Sequence, residues 1–182
     1  YKIEMYKKVC YNRITKTCFE YNKEGGNNMG KIYDAITIAK WIINKIHPEP
    51  LKLQKLLYLA QGYSYAFYDR PLFKEDMEGW VHGPVVRNVY DIFKNYQYNP
   101  IDTNFEVEEL DKEAQEIVDY VIEHFSKYDA KYLEKLSHEQ EPWKLSREGL
   151  DPDERSDKTI SKESIANYFI NEVFQPEEEE WD

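Results

Sequence analysis

Histidine and acidic side chains are the residues of this chain whose types could support metal binding or acid–base chemistry. The four histidines, His47, His82, His124 and His138, are isolated in the sequence, so only the fold could bring two of them to one metal ion. Glu139 follows His138, but the second histidine of a zinc-protease helix is missing. We therefore predict no metal and no cofactor. The alternative role of His82 and His138 is a hydrogen bond that fixes a turn or a helix end.

Signatures of other enzyme classes are absent as well. The sequence contains no G-x-G-x-x-G motif, no phosphate-binding P-loop and no G-x-S-x-G nucleophile elbow. Glu108 and Glu109 are adjacent, and adjacent side chains on a helix point apart. This arrangement is typical of a solvated face rather than of paired catalytic carboxylates. We expect that the protein is not an enzyme and has no catalytic residues.

Three short segments combine residues that are unusual in so small a space. They are residues 53–58 (LQKLLY), 79–85 (GWVHGPV) and 137–143 (SHEQEPW). A tryptophan beside turn residues marks either a corner of the core or an anchor for a partner protein. The sequence leaves both interpretations open, although tryptophan is more often buried.

Hydrophobic periodicity places these segments on a mainly α-helical, compact single domain with a small β element near residues 77–83. A first helix is predicted over residues 34–47. The second is predicted over residues 50–68, beginning at a proline that suits the first turn of a helix. Its apolar side chains share one face, so Lys52 and Lys55 are expected to point away from the core.

The remaining elements follow from turn and capping signals. Gly83 and Pro84 predict a turn that leads into the next helix. Further helices are predicted to begin near Leu110 and to cover residues 130–137, and Ser161 is placed to cap a last helix. No internal repeat and no second domain is evident.

Composition and charge restrict the classes of partner. The chain has 182 residues, of which 41% are hydrophobic and 32% charged, as in globular proteins. Its net charge of −11 argues against direct binding of nucleic acid, which depends on Lys and Arg. The surplus of acids leaves open a basic protein partner or a role in solubility alone. No apolar run is long enough to cross a membrane, so we expect a cytoplasmic protein.

Residues 1–28 differ from the rest of the chain. They hold six basic and three acidic residues, which leaves 18 basic and 32 acidic residues in the remainder. Cys10 and Cys18 lie here, at a spacing that matches no zinc site. Residues 23–29 (KEGGNNM) can be encoded by a string containing AAGGAGGT, a bacterial ribosome-binding site, just before an ATG. The prediction is a translated leader before Met29; the alternative is a flexible arm.

Together, the three segments resemble the SocA-like antitoxin domain, also called the Panacea domain. That family has a K-L-Q-K-L-L-Y helix, a W-x-x-G-P turn and a late H-x-x-x-P-W segment. The matching positions here are 52–58, 80–84 and 138–143, in the same order and at similar separations. The resemblance extends over about residues 29–173.

The resemblance implies an antitoxin domain at residues 29–175, followed by an acidic tail at 176–182. It implies a bacterial or phage-associated protein of a toxin–antitoxin system that neutralises a co-encoded toxin by direct binding. A further mode implied by the family is delivery of the toxin to an ATP-dependent protease. Some relatives carry a DNA-binding or zinc-binding segment. This sequence has neither, which puts repression of its own operon in doubt.

The family supplies no catalytic residues, so the motif positions are candidates either for partner contact or for scaffold. The candidates for partner contact are Lys52, Gln54, Lys55, Tyr58, His82, His138, Glu108 and Glu109. The residues assigned to the structural motif are Trp80, Gly83, Pro84, Pro142 and Trp143.

The acidic stretch at residues 102–119 is the candidate surface for a basic toxin, since it holds eight acids and one lysine. The same acidity allows an alternative function. An acidic protein can mimic DNA and block a nuclease or restriction system, provided that its acids lie along one rigid face.

Overall fold

A computed structural model describes residues 30–174 of the chain. The predictions of a leader at residues 1–28 and of an acidic tail at 176–182 lie outside the described residues. Within them, no helix is both long enough and apolar enough to cross a membrane.

The architecture is mainly α-helical, as the periodicity predicts, with a small antiparallel sheet. The elements in chain order are α1 (Ala35–Ile46), α2 (Pro50–Tyr68), β1 (Met77–Trp80), β2 (Gly83–Val85), α3 (Arg87–Phe93), a 3-10 turn (Lys94–Tyr96), α4 (Lys112–Phe125), α5 (Ala130–Glu139), α6 (Glu141–Ser146), β3 (Thr159–Ile160) and α7 (Lys162–Phe174).

The sheet has the strand order β2-β1-β3, and both pairs are antiparallel. The predicted strand near residues 77–83 is confirmed, but the prediction that Gly83 and Pro84 form the turn is wrong. The turn falls two residues earlier, at Val81 and His82, and Pro84 lies in β2 opposite Gly79. A proline is tolerated there because β2 is an edge strand, where a missing N–H breaks no interior ladder.

Helix α2 is the centre of the molecule. Other helices and the sheet surround it, so it is buried on nearly all sides rather than along one stripe. The expectation that Lys55 points away from the core is therefore wrong: its side chain is only 1% exposed. Lys52 is partly buried, and its ammonium donates to the carbonyl oxygen of Ser126 at 2.6 Å.

Helix α7 packs along α2, and a glycine permits the close approach. A Cβ atom on Gly62 would lie 2.3 Å from the ring of Phe169. The same ring meets Tyr58 edge-on, with 5.5 Å between the ring centroids. Such edge-to-face pairs add to the stabilisation that burial of the rings provides.

Acidic and hydroxyl side chains define several helix starts. Asp111 and Asp129 accept hydrogen bonds from the third residue after each, and so cap α4 and α5. The Asp111 cap sets the start of α4 at Lys112, two residues after the predicted start near Leu110. Ser161 caps α7 through a hydrogen bond from the backbone N–H of Ser164, as predicted.

Candidate functional site

Two polar side chains of α2 bind backbone groups at the end of the second motif segment and just after it. Gln54 accepts a hydrogen bond from the N–H of Val86 at 2.8 Å and donates to its carbonyl oxygen at 3.3 Å. Lys55 Nζ donates to the carbonyl oxygen of Pro84 at 2.8 Å. Both side chains are buried, so each satisfies backbone groups that water cannot reach. Together they fix β2 and the start of α3 on the central helix.

Gly83 is required at its position for two reasons. Its φ angle is +95°, in a region that side-chain-bearing residues rarely adopt. A Cβ atom there would also lie 2.7 Å from Lys55 Nζ and 2.7 Å from Ser137 Oγ. Burial lowers the pKa of Lys55 to about 7, partly opposed by the nearby charge of Glu134. The first, second and third motif segments therefore meet around this glycine.

Glu134 links the hairpin turn to α5. Its two carboxylate oxygens contact His82 Nδ1 at 2.9 Å and Lys131 Nζ at 2.8 Å. Burial alone would raise the pKa of Glu134, but the hydrogen bonds from Lys131 and His82 outweigh it and lower that pKa. The carboxylate is largely buried while the imidazole is exposed, so this contact leads from the buried corner to the surface.

The third segment closes on the first strand through an aromatic stack. The rings of His138 and Trp143 lie parallel, with centroids 4.0 Å apart. The indole N–H of Trp143 donates to the carbonyl oxygen of Trp80 at 2.9 Å. Burial lowers the pKa of His138, which favours its neutral form.

Arg147 completes this corner, and sequence reasoning missed it. Its guanidinium donates to the carbonyl oxygen of Gly79 at 3.0 Å and to that of Glu154 at 2.7 Å. The group also lies over the ring of Trp143, with 5.3 Å to the centroid. Nothing in its sequence context distinguishes this arginine from a surface residue, because its partners are backbone carbonyls. Glu134 was missed as well, although it precedes His138 by one helical turn.

A family model described as antitoxin SocA-like, Panacea domain, matches residues 53–144, which include all three motif segments. The chain belongs to this family. The matched region begins in α2 and ends in α6, so it contains the interlocked corner described above apart from Arg147. No curated protein and no solved structure matches the chain.

In this Panacea domain, three of the predicted contact residues lie inside. Gln54, Lys55 and Tyr58 are buried, and in this conformation they offer no atoms to a partner. The hydroxyl of Tyr58 finds no hydrogen-bond partner among the described residues. His82 is exposed, whereas His138 is half-buried in its stack. Of the motif side chains named here, the structure thus brings His82 to the surface and assigns the others to holding the fold.

The acidic pair lies apart from this corner, on the segment before α4 of the Panacea domain. Glu108 pairs with Lys31, and Glu109 is exposed. Further along, Glu113 accepts a hydrogen bond from Arg70 at 2.8 Å. Several acids of the stretch therefore bind basic side chains of the same chain, which makes the stretch a brace between elements.

The histidines are distributed over separate contacts. His47 Nδ1 lies 3.1 Å from the carbonyl oxygen of Ile101, and His124 Nδ1 lies 2.8 Å from that of Tyr120. Over residues 30–174, no group of three or more His, Cys, Asp or Glu side chains is arranged to hold a metal ion.

Proposed function

We propose that this Panacea-domain protein is a cytoplasmic antitoxin that neutralises a co-encoded toxin by direct binding, and that it is not an enzyme. The observation that carries the proposal is the family match over residues 53–144. Antitoxin action of this kind requires a stable folded surface rather than a reactive site. An interface of about 800 Å² on each partner would suffice.

The way in which the residues of the interlocked corner are used supports this proposal. Gln54, Lys55 and Arg147 bind backbone carbonyl oxygens of their own chain. A buried side chain that is engaged in this way is not free to transfer a proton to a substrate. The motif therefore supports a rigid body whose exterior makes contact with a partner.

Ion pairing within the chain makes DNA mimicry the weaker alternative. A mimic needs unpaired acids at regular spacing along one face. Here Asp119 binds Lys45 at 2.7 Å, and Glu113 binds Arg70. Charges neutralised by neighbouring lysine and arginine present a weaker field to a DNA-binding protein.

The decisive experiment pairs the chain with the product of the adjacent open reading frame. We expect that this product stops growth when expressed alone, that co-expression restores growth, and that the two proteins purify together. Purified protein should then inhibit the toxin without any protease. If inhibition requires an ATP-dependent protease, the mechanism would be delivery of the toxin to that protease rather than direct neutralisation. Continued growth arrest on co-expression would contradict the antitoxin function itself.

A further inference from the structure

We draw no further inference here: the strongest candidate, the open groove between the segment before β1 and helix α3, lined by Val86 and by the carboxylates of Asp76 and Asp91, carries nothing because Lys162 and Lys94 already pair with those carboxylates and nothing in the part of the chain that the structure describes shows what covers the groove.

Discussion

Lys55 Nζ donates a hydrogen bond to the carbonyl oxygen of Pro84 at 2.8 Å, across 29 positions in the sequence. This bond attaches the buried middle of α2 to the edge strand of the sheet, and Gly83 leaves the space through which the lysine reaches its acceptor. A buried lysine is costly unless its ammonium is satisfied. Small changes at this corner are therefore expected to be costly.

The space at the hairpin glycine gives the first prediction. Gly83→Ala should lower the free energy of unfolding by about 2–4 kcal/mol, because it combines an unfavourable φ with a clash against Lys55 and Ser137. The measurement is denaturant unfolding followed by circular dichroism.

Gly149→Ala is the control for this prediction. Gly149 also has a positive φ, +81°, but nothing lies within 4 Å of a Cβ added there. The variant should therefore show backbone strain alone, about 1 kcal/mol. Equal losses of unfolding free energy in the two variants would mean that the clash beside Lys55 does not contribute.

The depressed pKa of Lys55 gives the second prediction. Burial lowers this pKa to about 7 in the folded protein, against 10.5 ordinarily. Between these values the unfolded chain binds more protons than the folded one, so this group makes stability increase with pH. The slope is about 1.4 kcal/mol per pH unit. Below about pH 7 both states are protonated and its contribution becomes constant.

The test compares the pH dependence of unfolding in two variants. Lys55→Met should reduce the gain in stability between about pH 7 and about pH 9, whatever its effect on stability at one pH. Lys135→Met removes a lysine whose side chain is 78% exposed and should leave the gain unchanged. If Lys55→Met gained as much stability over this pH range as the unaltered protein, the buried ammonium would not titrate there.

The acidic stretch gives the third prediction. If it is a brace, Glu113→Gln should lower stability by about 1 kcal/mol, because Arg70, which is mostly buried, loses the nearer of its two carboxylate partners and keeps only Asp111 at 3.6 Å. Glu109→Gln removes the same charge from an exposed side chain and should have little effect. Thermal unfolding at low and high salt checks both variants. A larger loss in Glu109→Gln would contradict the role of the stretch as a brace.

The helices were predictable where one residue type decides the local structure. Pro50 suits the first turn of α2 and breaks the chain before it, so the predicted start of that helix is confirmed. Helix α6 (Glu141–Ser146) was not predicted, although Pro142 occupies the same kind of position in its first turn. Six residues are too few for periodicity to be recognised.

The burial of the motif side chains was not predictable from local pattern. Lysine is ordinarily an exposed residue, and the acceptor that makes its burial tolerable at position 55 lies on a distant strand. The same holds for Arg147, whose acceptors are carbonyl oxygens that carry no side-chain signal. Sequence could indicate which segments belong together, but only the fold distinguishes the exposed His82 from the buried Gln54.

Arg147 gives the last prediction, because one guanidinium holds both a strand and a loop. Its Nη1 binds Gly79, and its Nη2 binds carbonyl oxygens of Asp151 and Glu154 at 3.1 and 2.7 Å. Lysine offers a single compact ammonium that cannot reproduce this planar set of donors. Arg147→Lys should therefore leave the buried carbonyl of Gly79 or the carbonyls of the loop without a donor, at a cost of about 1–3 kcal/mol.

Amide hydrogen exchange locates this effect. In Arg147→Lys, protection should fall across the loop at residues 148–158 and in β1, while α1 keeps its protection because no contact of Arg147 reaches it. Arg155→Lys, an exposed arginine in the same loop, should exchange like the unaltered protein. Equal exchange in the two variants would mean that contacts other than the guanidinium hold the loop against the sheet.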